Sequence, residues 1–221
     1  MPRPSAGSRT HPLTTKPAAL DALRHADPVI ARLIAEYGKP DGVLARRGRR
    51  PGDAYGALLR SIVGQQLSTK AARTIYERLS GLFGGRAPTP RELLEIDPEQ
   101  LRDVGLSRAK VAYLHDLAEH VEDGELDLEH LAELPADEVS AQLTAIKGLG
   151  QWTVDMFLIF HLGRPDILPV GDLGIRRAVQ IAYELDELPA PAQLERIAES
   201  WRPWRSLACL YLWRSLDATP A

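Results

Sequence analysis

The chain has 221 residues, 44% hydrophobic and 26% charged, with a formal net charge of −3 at pH 7. That is enough apolar material for one large domain or two lobes sharing a core; the single cysteine, Cys209, excludes an internal disulfide framework and any multi-cysteine metal site, and no apolar run approaches the roughly 18 to 20 residues a membrane span needs. Residues 1–17, MPRPSAGSRTHPLTTKP, carry basic groups without an apolar core, so they read as a disordered tail rather than a secretory signal, and a soluble, reducing, cytoplasmic setting is the expectation.

Strand signals are scarce, and long windows show 3.6-residue periodicity broken by Pro, Gly or Asp, which predicts an all-α protein. The first predicted helix runs from Pro28 to Tyr37 and stops at Gly38 and Pro40. The stretch ARRGRRPGD, Ala45 to Asp53, reads as a loop, and Asp53 can cap a helix with Leu58, Leu59, Ile62 and Val63 on one side. That helix breaks around Gly64-Gln65-Gln66-Leu67, and Ser68 caps the next, with Ala71, Ala72, Ile75 and Leu79 inward. Short helices are expected near Pro90–Leu94, Pro98–Val104, Arg108–Asp123, Leu128–Glu133 and Asp137–Ala145. Gln151–His161, Leu173–Glu184, Pro191–Ser200 and Pro203–Leu216 complete the set. There is no repeat, and no glycine-rich nucleotide loop follows a strand.

The charge is unevenly spread. From Val111 to Ile146 there is no Lys or Arg but there are ten acids: Asp116, Glu119, Glu122, Asp123, Glu125, Asp127, Glu129, Glu133, Asp137 and Glu138. Without them the chain is net positive, so an acidic back and a basic front would let one side meet phosphate. The same acids also read as solvated helix faces, and the two readings are compatible.

Two segments carry chemistry. In IKGLGQWTVD, Ile146 to Asp155, the run Lys147-Gly148-Leu149-Gly150 reads as a hairpin between two helices. Its glycines permit positive φ and leave the backbone bare, Leu149 can pin the helices, and the bare amides with the following helix N-terminus make an anion site. Lys147 adds a charge or is simply solvated. Gly-x-Gly between helices is also common in ordinary αα-hairpins, so phosphate binding and plain connection both stay open on this motif alone. In LPVGDLGIRRAV, Leu168 to Val179, Asp172 stands in a glycine-flanked loop at the mouth of a helix. It can act as an N-cap, and a carboxylate fixed there can also stabilise a cationic transition state. Asp155 is the rival acid, with a structural or solvent contact as its expected role.

Taken in order, SIVGQQLSTKAA, the hairpin with its Asp loop, and WRPWRSLACLYLW (Trp201 to Trp213) resemble the helix-hairpin-helix (HhH-GPD) superfamily of DNA glycosylases, and within it the alkylation-repair branch of 3-methyladenine DNA glycosylase II. The resemblance covers roughly Asp53 to Leu216. It implies an all-α fold with two helical lobes, about 53–160 and 18–52 plus 161–216, with the active-site cleft between them. It implies Asp172 as the catalytic acid beside the sugar, and Trp152, Met156 and Trp213 as the base pocket, since cationic alkylated bases are attracted to π faces. Lys147, Gly148 and Gly150 are placed on DNA backbone, as are Gln65, Gln66 and Ser68 in the wedge region, with Gln66 at the plug. The carbonyls of Thr144, Ile146 and Leu149 are candidates for a monovalent cation, Na⁺ or K⁺. No cofactor is required, and the four-Cys iron–sulfur cluster of some relatives is excluded by the cysteine count.

Trp152 stands where relatives that are also lyases have an amine-bearing Lys, so the resemblance implies a monofunctional enzyme with water as nucleophile. The expected partner is double-stranded DNA with damaged bases, met by a monomer, with no membrane and, in a bacterium, at the nucleoid. Two positions depart from the pattern: Gln66 where some relatives have Leu, and Met156 where the branch has an aromatic. The β-rich N-terminal lobe of the larger bacterial enzyme has no counterpart here, and Arg46, Arg47, Arg49 and Arg50 are a second candidate DNA contact. The alternatives are a glycosylase for oxidised or deaminated bases and a non-catalytic helix-hairpin-helix DNA-binding protein.

Overall fold

The computed structural model describes residues 17–38 and 54–218, and among them every regular element is helical. The expected tail up to residue 16, the loop Ala45–Asp53 with its four arginines, and the Asp53 cap lie outside the described residues. In chain order the helices are α1 (Pro17–Ala26), α2 (Pro28–Tyr37), α3 (Ala54–Gly64), α4 (Thr69–Leu82), α5 (Pro90–Glu95), α6 (Pro98–Asp103), α7 (Arg108–Glu122), α8 (Ala136–Thr144), α9 (Gln151–Phe160), α10 (Leu173–Ala182), α11 (Pro191–Ile197) and α12 (Arg205–Ala218). Two single 3₁₀ turns, His130–Ala132 and Ala198–Trp201, lie between them. Among the described residues no helix is long and apolar enough to cross a membrane.

Two larger differences from expectation stand beside shifts of a few residues at several helix ends: a helix, α1, precedes the expected first one, and a later expected helix shrinks to a turn. Pro17 is not the end of a tail but the first residue of α1, which buries Ala19 and Leu23. The expected helix Leu128–Glu133 contracts to the turn His130–Ala132. There the Asp127 carboxylate caps the amides of Glu129 and His130, and Pro135 soon removes the backbone donor that a longer helix would need.

The chain divides into two compact units, residues 50–157 and residues 1–49 with 158–221. In the first, α3 packs on α4 and α7, and α5 and α6 also pack on α7. The apolar stripe expected of α3 is fully inside: Leu58, Leu59, Ile62 and Val63 join Leu79, Leu93, Leu101, Leu114 and Leu117 in one core. The inward face of α4 is shallower, with Leu79 buried but Ala71, Ala72 and Ile75 only half-buried. Helix α5 starts on a full capping box, in which Thr89 and Glu92 each bond the other's backbone amide.

In the second unit α12 packs on α2 and α10. Its organising polar group is Asp27, 5% exposed. One carboxylate oxygen caps α2 by accepting from the amides of Val29 and Ile30. The other accepts from Tyr183 Oη at 2.6 Å, Trp201 Nε1 at 2.9 Å and Ser200 Oγ at 3.3 Å. A carboxylate so far from water needs that many donors, and through it the start of α2, the end of α10 and the turn before α12 are joined. Burial, reinforced by the Asp27 carboxylate, pushes the Tyr183 hydroxyl above the usual phenol range. Trp201 is wholly buried here.

Candidate nucleic-acid interface and active-site acid

The hairpin joins α8 to α9. Ile146 and Leu149 are each 2% exposed, so the apolar residues of the turn are buried in the core. The two glycines do different work. Gly148 has φ +82°, and an added Cβ would land inside the Tyr113 ring, so this position demands glycine on both conformational and steric grounds. Gly150 is not at positive φ, and a Cβ there would meet nothing within 4 Å. Glycine is therefore not demanded there by conformation or by packing. The Gly150 carbonyl accepts from the amides of Thr153 and Val154, which opens α9 with its first-turn N–H groups facing the turn.

That difference yields a clean test. Gly150→Val should leave the fold intact and weaken binding to every duplex alike, because phosphate contacts carry no sequence information. Fluorescence anisotropy over a salt series should also show wild-type affinity falling steeply as counterion release predicts. Salt-independent affinity, or a loss confined to certain sequences, would refute a backbone clamp. Gly148 is the wrong residue for this purpose, since its replacement disrupts the hairpin itself.

Lys147 is exposed but not idle. Its ammonium lies 2.7 Å from Asp116 Oδ1, and its own amide donates to Asp116 Oδ2 at 2.8 Å. Asp116 is 6% exposed. It is thus no part of a solvated acidic face, correcting the expectation for that member of the stretch; it is a buried brace for the hairpin. Burial works to raise its pKa, but the ammonium and amide of Lys147 outweigh this and hold it below the usual carboxylate range.

The turn after α3 lies in the same unit. Gln65 donates from Nε2 to Gly148 O at 2.6 Å, so its side chain is a strut between wedge region and hairpin. Gln66 is exposed with φ +56°, an uncommon conformation for a non-glycine residue, and the neighbouring Leu67 is 37% exposed. Ser68 caps α4 by accepting from the Ala71 amide at 3.3 Å. Trp152 is 48% exposed on the first turn of α9, and Met156, one turn on, is half-buried. Asp155, 6% exposed on the same helix, accepts from Gln151 Nε2 at 2.8 Å, a local structural contact.

Of the carbonyls considered for a monovalent cation, that of Ile146 accepts the Leu149 amide at 3.1 Å and keeps a second lone pair. Carbonyl oxygens suit a hard cation, so the donor set of Thr144, Ile146 and Leu149 fits one. Among the described residues no group of three or more His, Cys, Asp or Glu is placed to hold a metal ion.

Asp172 belongs to the other unit. It is 6% exposed and is the N-cap of α10: Oδ1 accepts from Ile175 N at 2.8 Å and from Trp213 Nε1 at 3.1 Å. The positive end of the helix dipole faces the carboxylate. Gly174 makes room for this arrangement, since a Cβ there would stand 3.0 Å from Asp172 Oδ1 and 3.5 Å from the Trp213 indole. The loop leading to Asp172 is clamped from α12. Arg205 bonds the Asp166 carboxylate and carbonyl at 2.6 to 3.0 Å, Arg202 adds a bond to the same carboxylate at 2.8 Å, and the fully buried Ser206 accepts from Ile167 N at 2.9 Å. The spacing of the sequence carried no sign of this clamp, whose partners are more than thirty residues apart.

Trp213 differs from expectation. It is 2% exposed, donates to Asp172 and packs against Phe160 with ring centroids 5.6 Å apart. A buried indole whose N–H is committed in this way orients the carboxylate and does not present an open face for stacking.

Known proteins share this fold. A crystal structure of a Bacillus halodurans DNA-3-methyladenine glycosidase superimposes with a TM-score of 0.81 at 37% identity, covering 93% of this chain and 91% of that one. The Schizosaccharomyces pombe 3-methyladenine DNA glycosylase, solved in complex with abasic DNA, gives 0.79 at 32% identity, covering 91% and 98%. A Bacillus subtilis relative, provisionally named as a DNA-3-methyladenine glycosylase, is 34% identical over 169 residues, which is 74% of this chain but only 59% of that longer one. The model of the HhH-GPD superfamily of base excision DNA repair proteins matches residues 59–203, a span that holds the α3 turn, the hairpin and Asp172 together, and the chain belongs to that superfamily.

Proposed function

We propose that this protein is a monofunctional DNA glycosylase that removes alkylated bases, of the 3-methyladenine class, from double-stranded DNA by hydrolysis of the N-glycosidic bond. The observation that carries the reading is Asp172, a carboxylate locked at the head of α10 by the Ile175 amide and the Trp213 indole. Breaking an N-glycosidic bond leaves positive charge on the sugar, and a carboxylate fixed beforehand stabilises that charge without reorganising. The names of the relatives support the alkylated substrate.

In this reading the hairpin amides around Gly148 and Gly150 take a phosphate, with a monovalent cation on the carbonyls of Thr144, Ile146 and Leu149. Gln66 fills the space left by the flipped nucleotide. Trp152 offers the face on which the extruded base stacks, worth about 1 to 3 kcal/mol in comparable sites, with Met156 beside it. Water attacks the sugar, and the product is an intact abasic site. The protein acts as a monomer in the cytoplasm, on nucleoid DNA if its source is a bacterium.

The test is direct. Methylated duplex DNA incubated with the protein should release free alkylated bases, identified by mass spectrometry. Release of oxidised or deaminated bases alone, from matched substrates, would overturn the substrate class.

A further inference from the structure

Helix α7 carries three side chains that this chemistry does not use, and each reaches the surface that meets DNA in the reading above. Lys110, Tyr113 and Asp116 recur every third residue, so they run along one side of the helix. Lys110 Nζ donates to Val63 O at 2.8 Å and to Gln65 O at 2.7 Å. These are carbonyls at and just past the last turn of α3, where intrahelical partners run out and the dipole is negative. Burial lowers the pKa of that ammonium, the mark of a cation drawn out of water. The Tyr113 ring lies under Gly148 and leaves no room for a side chain there. Asp116 accepts both the amide and the ammonium of Lys147. The Gln65 side chain closes the circuit onto Gly148 O.

The two backbone conformations of this surface that ordinary residues avoid, Gln66 at φ +56° and Gly148 at φ +82°, are therefore both held from one helix. A non-glycine residue at positive φ is strained and persists only where its surroundings dictate it. Lys110, on the carbonyls of Val63 and Gln65, and the Gln65 side chain, on Gly148 O, supply those surroundings immediately before Gln66.

We propose that α7 is an alignment rail that couples the seating of the hairpin on DNA backbone to the presentation of Gln66 toward the base stack, with Lys110 as the positioning residue for base flipping. The proposal rests on the glycosylase reading for the identity of its two surfaces, but its consequence is separate. Without Lys110 the carbonyls of Val63 and Gln65 lose their cation and the turn no longer holds Gln66 in one place. The hairpin keeps its own braces, Tyr113 and Asp116. Grip and flipping should then come apart.

The experiment uses the full chain and a duplex carrying 2-aminopurine beside a tetrahydrofuran abasic analogue, whose fluorescence rises when the neighbouring stack opens. For Lys110→Met the fluorescence plateau at saturating protein should fall several-fold, while the Kd for an undamaged duplex, set by phosphate contacts, stays within about twofold of wild type. Lys110→Arg, which restores a cation able to reach both carbonyls, should recover most of the plateau. Should Lys110→Met fail to fold by circular dichroism, Lys110→Gln takes its place, since an amide can still donate to one carbonyl and the same split is expected in weaker form. A plateau equal to wild type, or plateau and undamaged-duplex affinity falling in the same proportion, overturns the rail. The readout needs no excision. A protein that passes it and yet releases no alkylated base would sink the substrate reading and keep the rail.

Discussion

Asp172→Asn is expected to remove base excision, by a factor of about 10² to 10³ or more, while leaving duplex affinity and thermal stability close to wild type. The structure says why the substitution is clean. Ile175 N and Trp213 Nε1 both donate to the same carboxylate oxygen, Oδ1. An asparagine keeps a carbonyl oxygen in that place, so the cap and the indole contact survive while the charge is lost. Single-turnover excision from methylated DNA, with anisotropy on the same duplex, measures the two quantities side by side. Asp155→Asn is the matched control. It is as buried as Asp172, 6% exposed, and also accepts a hydrogen bond, but from Gln151 on its own helix. If the Asp155 variant loses excision and the Asp172 variant keeps it, the assignment of the acid is wrong. Trp213→Phe separates orientation from charge, because it keeps an aromatic ring for Phe160 and removes the N–H that reaches Asp172 while leaving the carboxylate charged.

The case of Trp213 shows where legibility stopped. Its membership of the site followed from the order of motifs, but its role did not, because a sequence gives spacing along a helix and not the partner on another. The same limit hid the brace of Asp116. Within the run from Val111 to Ile146 it is one acid among ten, and nothing local distinguishes it from those that face solvent. Only the position of Lys147, thirty-one residues on, turns it inward. Lys110, Tyr113 and Arg205 were invisible for the same reason.

By contrast, what depends on neighbours in the chain was readable. Ser68 caps α4 as read, the starts of α2 at Pro28 and α5 at Pro90 fall where expected, and the apolar stripe of α3 is buried as its periodicity requires. Gly148 and Gly150 were legible as a pair, but not that packing demands glycine only at the first, since that distinction is made by Tyr113. The turn His130–Ala132 was over-read as a helix because Leu128 and Leu131 match a helical period over too short a run for period alone to decide.

Abasic sites made by this protein should stay unbroken until alkali or heat is added, and borohydride should trap no covalent enzyme–DNA adduct. A glycosylase that cleaves the strand by imine chemistry needs an unprotonated amine beside the sugar. Position 152, on the first turn after the hairpin, holds an indole, which has no such amine. Lys147 is the nearest amine along the chain, five residues back in the hairpin. Its hydrogen bond to Asp116, with the charge of that carboxylate, raises its pKa above the usual lysine range, so at neutral pH it is an ammonium held at 2.7 Å and not a nucleophile. Lys110 is the more serious rival, because burial lowers its pKa in the direction that activates a lysine. Its Nζ, however, is committed to the carbonyls of Val63 and Gln65 at 2.8 and 2.7 Å, where it acts as a donor to backbone. Denaturing electrophoresis of an end-labelled methylated duplex, with and without alkali, reads strand breakage, and a borohydride lane on the same gel reads trapping. A trapped adduct in wild type that disappears in Lys110→Met would make that lysine a nucleophile and the enzyme a lyase. An adduct lost instead in a Lys147→Met variant would mean that the Asp116 contact opens when DNA binds.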